Sequence, residues 1–309
     1  MGSGKEVYKG IRTIKSDFQL HGPKQREDAQ MGANMRVGIL VNLHADMDLK
    51  EKFGELKEMG VESCQLVCWD RSLLNEETAA VVREAVREKG IEITAFWCGW
   101  EGPKVWNFYE GQETLGLVPQ AFRFRRLEML LEGSDFARLL GVDNLVTHVG
   151  YMPENPYDPN YHSVIACLKE LALRCKNNGQ NFLFETGQET PVTLKRAIQD
   201  IGTGNVGINL DPANLLMYGK GNPVDSLDVF GEYVMGIHGK DGCYPTNGYE
   251  LGEEKPLGQG KVNYPAFIRK LKEIGYDGDI TIEREISGEE QKKDILMAKQ
   301  MLEELIAAE

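Results

Sequence analysis

The stretch NFLFETGQETPVTLKRAIQDIGTGNVGINLD, residues 181–211, decides the fold. An apolar run, Phe182-Leu183-Phe184, ends on Glu185; an amphipathic segment of helical length follows near 190–200; a second apolar run near 206–210 ends on Asp211. Short apolar run, amphipathic helix, short apolar run is the signature of a βα unit feeding a parallel sheet.

The same alternation extends in both directions from Met35 onward. Strands are expected near 36–43, 63–69, 92–97, 144–148, 182–185, 206–210, 234–238 and 279–283. Helices are expected near 49–59, 76–89, 122–140, 160–178, 190–200, 222–231, 264–274 and 288–307. Gly60, Gly90, Gly141, Gly179 and Gly275 stand just past five of these helices, where a left-handed residue closes the last turn. Eight βα units in about 270 residues suit an α/β protein built as one closed (β/α)8 TIM barrel over residues 35–309. A doubly wound sheet is disfavoured, since the first turn, Val41-Asn42-Leu43-His44-Ala45-Asp46, lacks a G-x-G-x-x-G. Residues 1–34 are polar, have no sustained period and are expected to be an N-terminal arm. Three connections are long, 98–121, 149–159 and 239–263, and each leaves the C-terminal end of a strand, the face where such barrels do chemistry.

A formal charge of −13 opposes a nucleic-acid partner, because that binding relies on Lys and Arg displacing counterions. No apolar run approaches the roughly 20 residues that span a bilayer, so a soluble, cytoplasmic protein with no membrane partner is expected. The six cysteines, 64, 68, 98, 167, 175 and 243, include no C-x-x-C pair and read as buried thiols.

Four ligand-type residues fall at or just past four successive strand ends: Glu185, Asp211, His238 and Glu283. Barrel closure brings such ends together. Taken singly, a carboxylate ending a strand is as readily a helix cap or a loop ion pair; four in register point to a metal. Three carboxylates and one imidazole suit one divalent ion, with Mn²⁺ preferred and Mg²⁺, Co²⁺ or Zn²⁺ open.

The surrounding residues resemble the xylose isomerase-like superfamily, and within it the sugar phosphate isomerase/epimerase group. The likeness is carried by Phe184-Glu185-Thr186-Gly187, Leu210-Asp211-Pro212-Ala213-Asn214, Ile237-His238-Gly239-Lys240-Asp241, Leu257-Gly258-Gln259-Gly260 and Ile282-Glu283, and covers nearly all of 36–309. It implies proton transfer next to a metal-held carbonyl, with Glu185 and Glu283 acting from opposite faces of the substrate carbon. Family 3-epimerases carry a His and an Arg where this chain has Asn214 and Tyr244, which points away from a free-ketose 3-epimerase. Asn214 and the acidic charge also point away from the endonuclease branch, which needs extra histidines.

Further residues on the same rim have two readings each. His148 is an additional acid/base or a hydrogen-bonded core histidine; His44 is a pocket residue or a surface one, and His162 is expected to face solvent. Lys240 holds a substrate oxygen or a loop salt bridge, and Asp241 pairs or caps beside it. Glu189 orients a substrate hydroxyl or starts a helix. Among the tryptophans, Trp69 and Trp100 are the expected pocket residues and Trp97 a core residue. The aromatic loop 98–121 suits a substrate larger than a triose, and Gly258-Gln259-Gly260 is a short candidate phosphate turn.

The residues leave three functions open. The first is a divalent-metal-dependent sugar or sugar phosphate isomerase/epimerase. The second is a β-elimination lyase cleaving 3-keto-glycosides, including C-glycosides, with a partner subunit; the third is a non-catalytic sugar-binding barrel. The partner in each case is a small sugar or glycoside, and a homo-oligomer is compatible with all of them.

Overall fold

The computed structural model describes residues 35–308, so the expected arm at 1–34 lies outside the described residues. The strands are β1 (Arg36–Asn42), β2 (Ser63–Cys68), β3 (Glu92–Cys98), β4 (Asn144–Thr147), β5 (Asn181–Glu185), β6 (Val206–Leu210), β7 (Val234–Gly239), β8 (Asp241–Gly242), β9 (Glu254–Lys255) and β10 (Asp279–Ile282). All but β8 and β9 form a closed barrel in the order β1-β10-β7-β6-β5-β4-β3-β2, and every barrel pairing is parallel. The helices are α1 (Leu49–Glu58), α2 (Glu76–Lys89), α3 (Gly111–Thr114), α4 (Gln120–Leu140), α5 (Pro159–Asn177), α6 (Pro191–Ile201), α7 (Pro212–Met217), α8 (Pro223–Phe230), α9 (Tyr264–Glu273) and α10 (Glu289–Ala307). The expected strands and long helices are all present, shifted by a residue or two at their ends. Not anticipated are α3, α7 and the antiparallel β8–β9 pair inside the third long connection.

Local chemistry explains the boundaries. Asp48, Asn75 and Asp158 accept hydrogen bonds from backbone N–H groups of the first turns of α1, α2 and α5. Proline opens α5, α6, α7 and α8, where its missing N–H costs nothing. The five glycines expected past helix ends all have positive φ.

Strand alternation divides the interior into two cores. Ile39, Leu66, Phe96, Leu145, Phe182, Ile208, Ile237 and Ile280 face outward into the layer between barrel and helices. Val67, Ala95, Trp97, Val146 and Leu183 face inward and fill the lumen. Two residues beyond an inward position the chain points inward again, now at the barrel mouth. Glu185 follows Leu183 by that step, and His148 follows Val146 in the same way.

Two of the long connections are fastened to each other over the mouth. The N–H of Leu117 donates to the carbonyl of Val149 at 2.7 Å. Arg126, fully buried, donates to the carbonyls of Glu101, Gly116 and Pro103 at 3.1, 2.6 and 2.7 Å. Gly116 has a φ of 66°, and a Cβ there would lie 2.0 Å from the carbonyl carbon of Val149. Gly116→Ala should therefore cost about 3 kcal/mol or more, against about 1 kcal/mol for Gly90→Ala, whose Cβ meets nothing within 4 Å. Urea unfolding of both variants checks this; equal losses would contradict the close approach.

Candidate metal centre

Glu185 ends β5, Asp211 follows β6 and caps α7, His238 lies in β7 and Glu283 follows β10. One donor atom from each lies within 4.8 Å of the others. His238 Nδ1 is 3.3 Å from Glu185 Oε1, 3.7 Å from Asp211 Oδ2 and 3.1 Å from Glu283 Oε2. Asp211 and His238 are wholly buried and Glu185 nearly so.

The donors are held by their other atoms. Asp211 Oδ1 accepts from the N–H of Asn214 at 2.9 Å, while Thr186 Oγ1 donates to the Asp211 carbonyl at 2.9 Å. Glu185 Oε2 accepts from the indole N–H of Trp97 across the lumen. His238 Nε2 meets Gln65 Oε1 at 2.9 Å, and the Gln65 amide donates to Asn209 Oδ1 at 2.8 Å. In that chain His238 Nε2–H donates to Gln65 Oε1, which turns Nδ1 to the carboxylates. Asp211 Oδ2 and His238 Nδ1 have no hydrogen-bond partner among the described residues although both are buried. Two orphaned donors facing each other inside a carboxylate cluster fit a divalent cation.

Charge agrees with this. Burial opposes a charge on His238, but Glu185 and Glu283 outweigh it and hold the imidazole well above its usual range. Burial likewise opposes the charge of Lys240, and Glu283, Glu285 and Asp211 reverse that effect, so its ammonium persists. For Glu185 burial pushes the carboxyl up, while His148 and His238 pull it below the usual carboxylate range. Three carboxylates outnumber the cationic groups set among them, Lys240 and the His238 imidazolium, so the cluster keeps a net negative charge for a divalent ion to meet.

A cavity of 540 Å³ opens above the cluster, and Glu185, Glu283, His148, Trp69, Trp97 and Asn214 are among its walls. His148 Nε2 is 3.4 Å from Glu185 Oε1, beside the cluster and in reach of a bound molecule. Lys240 is buried and engaged by Glu283 at 3.2 Å, Glu285 at 3.1 Å and Asp211 at 3.6 Å, so it balances charge under the cluster and is absent from the cavity wall. Trp100 is also absent from that wall: it is buried beneath the Arg126 guanidinium, 5.5 Å away, whereas Trp97 is the core residue expected and also reaches the cavity wall. Glu189 is buried behind the rim with both oxygens unpartnered, and burial pushes its carboxyl up to about 8. His44 lines a neighbouring cavity, and His162 is exposed on α5.

The candidate phosphate turn is already occupied. Asp241 Oδ2 accepts from the N–H groups of Gly258 and Gly260 at 2.9 and 3.0 Å, and Oδ1 from those of Gly242 and Val262 at 2.8 and 3.0 Å. The backbone donors a phosphate would need are spent on one side chain. Sequence reading did not anticipate this use of Asp241, nor the parts of Gln65, Asn209 and Trp97. The signal available for those three was their inward register, since Gln65 precedes Val67, Trp97 follows Ala95 and Asn209 precedes Asp211 by two.

A closed parallel barrel with this rim cluster defines a class, and comparison with known proteins specifies it. The chain belongs to the xylose isomerase-like TIM barrel family, which matches residues 53–305. A xylose isomerase domain protein from Planctomyces limnophilus is 33% identical, with a TM-score of 0.82 over 88% of this chain and 97% of the other. A 3-keto-D-glucoside 4-epimerase from E. coli shares the fold at 17% identity, with a TM-score of 0.65 over 87% and 99% of the two chains. An uncharacterised protein of Methanocaldococcus jannaschii is 29% identical over 200 residues, which span 60% of this chain and 64% of that relative. Among the described residues no helix is long and apolar enough to cross a membrane. The six cysteines are free, five of them buried and Cys243 half-buried.

The support and charge of the cluster give two expected outcomes. Gln65→Leu should weaken Mn²⁺ binding about 10- to 100-fold by releasing the imidazole, and should cost about 1 to 3 kcal/mol of stability because Asn209 Oδ1 and His238 Nε2 lose their buried partner; unaltered affinity in a calorimetric titration would remove Gln65 from the site. Because the His238 imidazole is held protonated without an ion, binding at Nδ1 must expel a proton. Titrations in buffers of different protonation enthalpy should register proton release and an affinity that rises with pH. Affinity constant from about pH 5 to 8 would contradict that coupling.

Proposed function

We propose that this protein is a divalent-metal-dependent sugar isomerase or epimerase in which Glu185 and Glu283 move a proton at the carbon beside a carbonyl. The observation carrying the reading is the pair of carboxylates, from β5 and from the end of β10, that face each other across His238 at 3.3 and 3.1 Å from its Nδ1. Mn²⁺ is the preferred ion, and Glu185, Asp211, His238 and Glu283 would hold it. Such an ion supplies Lewis acidity, which makes the hydrogen between a carbonyl and a neighbouring hydroxyl removable near neutral pH.

The residues divide the remaining work. One glutamate takes the proton and the other returns it; return from the opposite face inverts the carbon, whereas delivery to the adjacent carbon moves the carbonyl. Lys240, pinned among acids, offsets part of the repulsion between the carboxylates. Trp97 fixes the rotamer of Glu185, and Asn214 Nδ2 adds a contact at 3.4 Å to Glu185 Oε1. Tyr244 is exposed, its hydroxyl donating to the Gly219 carbonyl, so it supplies no cation where the family's 3-epimerases carry an arginine.

A second reading, elimination from a 3-keto-glycoside, rests on His148. Its imidazole stands on the cavity wall beside Glu185 and can protonate a departing oxygen or carbon while a glutamate removes the proton. Proton NMR in D₂O with Mg²⁺-loaded protein and a panel of ketoses, sugar phosphates and 3-keto-glycosides separates the two. Deuterium next to an intact carbonyl is the expected result, with a loss of at least about 100-fold in Glu185→Gln or Glu283→Gln. Aglycone release sensitive to His148→Ala would favour elimination, and exchange surviving both glutamine variants would contradict the proton-transfer assignment.

A further inference from the structure

Beside the metal cavity lies a second one of 730 Å³ at the β1–β2 edge of the barrel mouth, and Asn42, Val67 and Trp69 line both. Trp69 is the partition. Its ring lies close against the backbone of Gly99, where a Cβ would come within 2.3 Å of the indole. It is also braced by Trp97 at 4.9 Å and Trp100 at 5.2 Å between ring centroids. The Lys104 ammonium lies over the ring at 4.8 Å, and Lys104 is an exposed side chain that a ligand can displace. A rigid indole with a removable cover between two cavities is a platform for a sugar C–H face or an aromatic ring.

The second cavity's charges are fixed in a way that selects among ligands. Arg71 is engaged by both oxygens of Glu132, at 2.7 and 2.5 Å, and lies 3.5 Å from Glu101. Asp70 holds the N–H and hydroxyl of Ser72 at 2.9 and 2.7 Å. With three carboxylates to one guanidinium, the wall is net negative and its cation is already paired. A phosphate or carboxylate would be repelled there, whereas hydroxyls and aromatic rings would not. The turn committed to Asp241 likewise offers a phosphate no backbone donors.

We infer that the substrate is an uncharged two-part glycoside, with its keto-sugar ring at the metal cavity and its aglycone or second sugar beyond Trp69 in the β1–β2 cavity. This rests on the proton-transfer reading and narrows its substrate class, setting aside substrates that would place a phosphate in the β1–β2 cavity.

The test uses the full chain loaded with Mg²⁺, measuring Kd by calorimetry for 3-ketoglucose, phenyl 3-keto-β-glucoside and fructose 6-phosphate. Deuterium exchange is followed separately on the same sugars. The phenyl glycoside should bind about tenfold more tightly than 3-ketoglucose, and the phosphate more weakly than either. Ser72→Trp, which fills the second cavity from an exposed position, should bring the two keto-sugar affinities together. His44→Trp, from the opposite wall, repeats the test should the first variant unfold. Equal affinities in the unaltered protein, an advantage that survives both plugs, or preference for the phosphate would each overturn the inference. Exchange into 3-ketoglucose would leave the proton-transfer reading standing in every such case, and loss of exchange in Glu185→Gln identifies that reading independently.

Discussion

Three carboxylates converging within 4.8 Å is the constraint around which the rim is organised. At an effective dielectric of about 20, each pair of charges at that separation repels by about 3 to 4 kcal/mol. Lys240 answers part of this from below, the Trp97 indole another part across the lumen, and the Asn214 N–H a third at the head of α7. The remainder is aimed at one point, where Asp211 Oδ2 and His238 Nδ1 have no hydrogen-bond partner among the described residues. A cation is the counterpart that this residual field selects.

The barrel makes such convergence possible without strain in the strands. Side chains two residues apart share a face, so the positions after the last lumen-filling residues are directed at the mouth on every strand. Closure then places the ends of β5, β6, β7 and β10 side by side, and β7 is paired with both β6 and β10. The same geometry puts Gln65 of β2 opposite β7, letting one amide join Asn209 to His238 through the lumen.

Periodic features of this molecule are legible in its sequence. The barrel strands, the long helices and the four cluster residues are all readable because each depends on position within a repeating unit. Relations across the lumen or along irregular connections are not. Trp100 leaves its expected place because residues 98–121 follow a path set by Arg126 and by Gly116 against Val149, and no period encodes that path. Asp241 reads as a loop acid that pairs or caps beside Lys240, yet it gathers four backbone N–H groups from separate points along the chain between Gly242 and Val262. Glu189 lies one helix-start away from the rim and is turned into the protein, a choice of side-chain direction that spacing does not determine.

Joint binding of one metal ion by these four side chains is the central claim. Crystals grown with Mn²⁺, measured by anomalous scattering on both sides of the manganese edge, test it most directly. A single full peak per chain is expected, about 2 Å from Glu185, Asp211, His238 and Glu283, with its open side toward the cavity bounded by Trp69 and His148. A peak elsewhere, or none at saturating Mn²⁺ with the His238 ring still hydrogen-bonded to Gln65, would contradict it.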